Sequence, residues 1–180
     1  MSPPQIFVST GLFCTTPIEA VQALREQGVL GIELSGCLLE GDPVAGLPAE
    51  RYGGPLQVHN YFPPQPDPFV FNLCDPDPEG RARSLTLARE AIDLGLSLGS
   101  NLYSFHAGFL GSPRVSELGR TWAPMQRISP EQGIALFVAS VTELAAYAEV
   151  REVCLLVENN VLTRGTADNN GDDVLLMTTP

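Results

Sequence analysis

No lysine occurs in these 180 residues, and the ten basic side chains are all arginine. That absence excludes the chemistries that need a lysine amine or ammonium: Schiff-base aldol cleavage, pyridoxal phosphate attachment and the P-loop cradle for nucleotides. Positive charge is scarce altogether. With 21 acidic residues the formal net charge is -11, which counts against a nucleic-acid partner, because phosphate recognition is carried by arranged positive charge. Paired cysteines are missing too. Cys14, Cys37, Cys74 and Cys154 are scattered without a C-x-x-C, so zinc-finger and thioredoxin readings find no support and the thiols read as reduced, in a cytoplasmic protein. No apolar run approaches the ~18 residues of a membrane span, and the MSPPQ start lacks the basic-then-apolar pattern of a signal peptide, so no membrane partner is expected. What remains is one domain's worth of chain with 44% apolar residues, enough for a real core.

Read in order, β-prone and helical segments alternate. Ile6 to Val8 reads as a short strand. Thr16-Pro17-Ile18-Glu19 is a capping box with proline at the first helical position, and the helix it opens closes at Gly28. Val29 to Leu34 reads as the second strand, and the glycine- and proline-rich segment from Gly36 to Pro55 as loop with at most a short helix. Leu56 to His59 is the third strand, followed by a proline-studded loop. Asp77-Pro78-Glu79 then caps the clearest helix, with Leu85, Ala88, Ile92 and Leu96 at helical spacing and Gly99 at its end. The fourth strand, Leu102 to Phe105, delivers His106 into the turn at Ala107-Gly108, and the long loop after it carries the single tryptophan, Trp122. Ser129-Pro130-Glu131-Gln132 opens another helix whose expected core face is Ile134, Val138, Val141, Ala145 and Ala148. Val153 to Val157 reads as the fifth strand, and Asn159 to Asp173 as a polar loop whose DNNGDD cluster lacks the glutamate of a calcium loop and reads as a solvated turn. An apolar run, Val174 to Met177, follows, and Thr178-Thr179-Pro180 has the form of a helix start.

This alternation predicts right-handed βαβ units and a parallel sheet, either a doubly wound open sheet or about five of the eight units of a (β/α) TIM-type barrel, C-terminally truncated, in a single domain over residues 1–180. The chain has two histidines, and both His59 and His106 fall at strand ends, as does Glu158 after four apolar residues. Strand ends opening into polar loops are where parallel α/β folds assemble ligand sites. Imidazole can ligate a metal or move protons near neutral pH, or merely hydrogen-bond a neighbouring carbonyl. A carboxylate at Glu158 is costly if buried without a partner, and a metal ion is an economical one. Glu33, on strand two, fits either a hydrogen bond within the barrel mouth or a substrate contact. Tyr61 and Trp122 suit the walls of a sugar-sized pocket, or packing against their own loops.

The ordered set GIEL, VHNYFPP, FVFNL, FHAGF and LLVENN resembles the xylose isomerase-like TIM barrels, the superfamily of sugar phosphate isomerases/epimerases and of endonuclease IV. The resemblance runs from Ile6 to Asn160. It implies that Glu158 ligates a divalent metal (manganese, zinc, cobalt or magnesium) and that His59 and His106 line the same site, as ligands in the endonuclease branch or as polar substrate and catalytic residues in the sugar branch. It further implies metal-assisted proton transfer next to a carbonyl of a sugar or sugar phosphate, with endonuclease-like phosphodiester cleavage or an inactive, partner-binding barrel fragment as the alternatives. An unpaired sheet edge after strand five makes a homo-oligomer an expectation as well.

Overall fold

The computed structural model describes residues 6–13, 15–36, 47, 54–171 and 174–178; Cys14, Cys37, nearly all of the segment expected as loop before strand three, and Thr179-Pro180 lie outside them. Five strands form one sheet in chain order, every neighbouring pair parallel: β1 (Phe7–Ser9), β2 (Gly31–Leu34), β3 (Leu56–His59), β4 (Leu102–His106) and β5 (Cys154–Glu158). Sequential order with crossover helices is the TIM-barrel pattern rather than the doubly wound one, in which the strand order reverses.

The helices begin where capping chemistry places them. Helix α1 (Pro17–Glu26) opens on the reciprocal Thr16–Glu19 box, α2 (Pro78–Ser97) on the Asp77 carboxylate, and α3 (Pro130–Glu149) on the Ser129–Gln132 box, each with proline in its first turn. Tyr103 and Phe105 of β4 are fully buried in one cluster with Leu87, Ala88 and Ile92 of α2 and Leu144 of α3. Alternate residues of each strand face the opposite way, into the concave side of the sheet.

Four expectations are corrected. The second strand is shorter than Val29 to Leu34, because Arg25 turns back on its own helix end and donates to the carbonyls of Val29 and Leu30, which are therefore not offered to a neighbouring strand. The buried face of α3 is Gly133, Ser140, Leu144 and Ala148, with Phe137 and Val141 half-buried, whereas Ile134, Val138 and Ala145 are exposed. This helix is apolar around most of its circumference, so periodicity does not say which side meets the sheet. The polar loop after β5 contains a helix, α4 (Arg164–Asn170), capped by the Thr163 hydroxyl. Asn170 is accordingly no part of a solvated turn but is buried; Asp172 and Asp173 of the same cluster lie outside the described residues. Val174 to Leu176 folds back onto the loop after β4, through Leu110 N–H to Val174 O at 2.9 Å and Leu176 N–H to Gly108 O at 3.1 Å.

Among the described residues no helix is long and apolar enough to cross a membrane.

Candidate metal centre

The concave face of a (β/α) barrel is ordinarily filled by bulky aliphatic side chains. Here it is polar across four neighbouring strands, β2 to β5. Period-two alternation sends Gln57 and His59 to the same face of β3, and Ser104 and His106 to the same face of β4. Sheet register then pairs Glu33 with Gln57, His59 with Ser104 and His106 with Glu158. One residue of slip in any strand would turn its set toward the helices.

His59, His106 and Glu158 converge at the strand ends, with one ligand-type atom from each lying within 4.8 Å of the others. The two imidazoles meet edge to face at a centroid distance of 5.1 Å. His59 Nδ1 lies 3.5 Å from Glu158 Oε1 and 3.9 Å from Glu33 Oε2. Burial pushes the His59 imidazole below its ordinary value; Glu33 and Glu158 pull it the other way, and His106 adds to the lowering. The neutral imidazole that results is the form that binds a cation. The hydrogen bond of Nδ1 is with Ser104 Oγ at 2.8 Å, and the two carboxylates stand farther off, beside a neutral ring.

Whether these side chains suit a metal is tested by what they lack. His106 Nδ1 is buried without a hydrogen-bond partner, and a buried polar atom left unpaired is costly. Two imidazoles and a carboxylate are the donor set of catalytic zinc and of manganese or cobalt sites, so the residues fit a divalent cation. Asn60, the residue after His59, has its Oδ1 buried and unpartnered as well, on a backbone with φ 42°.

Glu33, Tyr61 and Trp122 are distributed differently. Glu33 joins the polar ladder beneath His59, accepting from Gln57 Nε2 at 3.4 Å. Tyr61 is tied into its own loop: its hydroxyl accepts from Phe69 N–H at 3.0 Å, its ring stacks edge-on against Phe69, and it lines a cleft of about 240 Å³ that shares Phe109 and Leu118 with the cleft beside His106. Trp122 is buried within the loop after β4, its ring edge-on to Phe109 and beneath the Arg127 guanidinium. With His106, Phe109, Asn160, Thr163 and Thr166 it lines a cleft of about 370 Å³. Sequence reading passed over Gln57, Ser104 and Phe109. The signal for the first two was present: a polar residue two positions before each histidine, inside an otherwise apolar strand.

The family model of the xylose isomerase-like TIM barrel matches residues 21–169. No curated protein matches the sequence. Among solved structures, the TTHB071 protein from Thermus thermophilus, soaked with ZnCl2, is similar at 23% identity and TM-score 0.56, over 94% of this chain and 63% of that one. A D-tagatose 3-epimerase-like protein is similar at 18% identity and TM-score 0.63, over 90% of this chain and 55% of that one. An L-ribulose 3-epimerase is similar at 16% identity and TM-score 0.62, over 87% of this chain and 50% of that one. The chain therefore spans between half and just under two thirds of the length of these structures, and at such identities the likeness is one of fold.

Proposed function

Because the chain belongs to the xylose isomerase-like TIM barrel family, we propose that its strand ends form the metal-holding half of a sugar isomerase or epimerase site, acting on a ketose or its phosphate. The observations that carry this reading are the convergence of His59, His106 and Glu158 at the strand ends and, on one of these residues, a buried nitrogen, His106 Nδ1, without a hydrogen-bond partner. These three residues would hold a divalent cation. When bound, such a cation supplies Lewis acidity, polarising a carbonyl and easing loss of the hydrogen on the neighbouring carbon.

The protein's own groups have separable roles. Glu158 is half-buried, its side chain 42% accessible, and its carboxylate would take and return the carbon-bound proton. His59, nearly buried, holds its direction and stays neutral. The cleft beside His106 offers the ring of Trp122 and the hydroxyls of Thr163 and Thr166, a mixture of apolar wall and hydroxyl partners that suits a polyhydroxylated chain. The alternative chemistry of the superfamily, phosphodiester cleavage in DNA, is disfavoured by the net charge of -11.

The test is a titration with manganese, cobalt and zinc, alongside deuterium exchange from solvent into a panel of ketoses followed by NMR. Binding of one cation per chain, lost in Glu158→Gln while circular dichroism is unchanged, is the expected result. No binding, or binding indifferent to the loss of the Glu158 charge, refutes the reading.

A further inference from the structure

Resting on that metal-centre reading, we propose that Ser104, seated by Gln57 and Glu33, is a positioning residue that fixes the tautomer of His59, so that Nδ1 carries the proton and Nε2 is the ring nitrogen left with a free lone pair. The inference follows from counting hydrogens around one oxygen. Ser104 Oγ has a single proton to give and two lone pairs to receive with. It has three polar neighbours: Gln57 Nε2 at 2.9 Å, His59 Nδ1 at 2.8 Å and Glu33 Oε2 at 3.5 Å.

Two of the three roles are fixed by chemistry. An amide nitrogen only donates, so Gln57 occupies one lone pair. The Ser104 hydroxyl donates to Glu33 Oε2, where a carboxylate oxygen serves as the acceptor. The orientation of the Gln57 amide is set by the same carboxylate, because its nitrogen lies 3.4 Å from Glu33 Oε2, where the amide oxygen would be repelled. The one valence left on Ser104 is a lone pair directed at His59 Nδ1, which must then be an N–H.

The surroundings of Nδ1 agree. Besides Ser104 Oγ it faces Glu158 Oε1 at 3.5 Å and Glu33 Oε2 at 3.9 Å. At these longer distances the carboxylates favour an N–H over a lone pair only weakly, and the Ser104 oxygen at 2.8 Å decides between them. Water offers no substitute at this depth, since Ser104 is fully buried, Gln57 is 5% exposed and His59 7%. A ligating histidine whose second nitrogen is held by a hydrogen bond keeps its ring orientation and basicity, and loss of such a partner typically costs about 10–100-fold in metal affinity.

The experiment is long-range proton–nitrogen NMR of the histidine rings in the metal-free chain at neutral pH, paired with cobalt and zinc titrations. The wild-type His59 ring is expected to show a protonated Nδ1 and a bare Nε2. Ser104→Ala should move it toward the Nε2–H form and weaken cobalt binding by about 10–100-fold, while Ser104→Thr, which keeps the hydroxyl, should retain both. A wild-type ring protonated at Nε2 overturns the proposal, and that measurement stands even where Ser104→Ala does not fold. An unchanged ring spectrum in a folded Ser104→Ala chain overturns it too, because a residue needed only for packing leaves the tautomer alone. Failure of the underlying reading looks different: the Nδ1–H signature is present, yet no cation binds.

Discussion

Gly108→Ala offers a sharp test of how the site is braced, because the turn after His106 leaves no room for a single methyl group. Gly108 is buried with φ 113°, a conformation that side chains with a Cβ rarely adopt, and holding alanine there costs about 1–3 kcal/mol of backbone strain. The added carbon would overlap Asn72 Oδ1 and lie 3.0 Å from Cys74 Sγ. Asn72 has no slack with which to move aside. Its Oδ1 accepts from the backbone N–H of Phe109 at 3.0 Å and of Cys74 at 3.2 Å, and its Nδ2 donates to the carbonyls of Phe109 and Gly111, each at 3.0 Å. Losing two or three of these bonds at a net ~0.5–1.5 kcal/mol each brings the total to roughly 2–7 kcal/mol, a large share of the ~5–15 kcal/mol that holds a domain folded. At about 2–4 °C per kcal/mol for a chain of this size, the melting temperature should fall by on the order of 10 °C. Thermal unfolding of Gly108→Ala, Asn72→Ala and the double variant measures both parts of the cost. In the Asn72→Ala background the overlap with Oδ1 is gone, so only the strain and the close approach to Cys74 Sγ should remain and the two changes should couple. A Gly108→Ala loss within ~0.5 kcal/mol of zero, as for a neutral surface change, refutes the reasoning, and so does an equal loss in both backgrounds.

Asn170→Ala should free the cover over the His106 cleft. The Asn170 side chain accepts from Trp122 N–H and donates to Arg120 O, both at 2.8 Å, and leaving the buried N–H unpaired costs about 1–3 kcal/mol; amide exchange around Trp122 should accelerate by roughly 10- to 100-fold, and unaltered protection would show that the loop is held by other contacts. The metal-free chain should also lose stability on mild acidification because of His59. Its folded value lies below the ordinary ~6.5, so the unfolded chain binds the proton first, and this contribution is complete above that pH and drains away as pH falls toward the folded value. Denaturant unfolding over this range should show a shallower pH dependence in His59→Asn than in the parent, and identical slopes would contradict the assigned burial effect.

Much of the secondary structure was legible because its causes are local. A capping box needs only a residue and its third neighbour, and the helix starts after Thr16, Asp77 and Ser129 all fall where those residues place them. The strand ends carrying His59, His106 and Glu158 were equally plain, since an apolar run broken by a polar residue and a glycine or asparagine turn is a feature of adjacent positions. Alternation of such units also carried the parallel order of the sheet. The face of α3 was not legible in this way, because a helix apolar on nearly every side acquires a core face only when a particular neighbour covers it; Leu144 is buried by the sheet and by α2, while Val138, six residues earlier, is exposed. Helix α4 and the burial of Asn170 depended likewise on the loop after β4 folding over them. The polar ladder beneath His59 belongs wholly to tertiary structure. Glu33, Gln57 and Ser104 come from three strands whose register no local rule sets, and a hydroxyl with one proton and two lone pairs acquires a direction only once all its neighbours are in place.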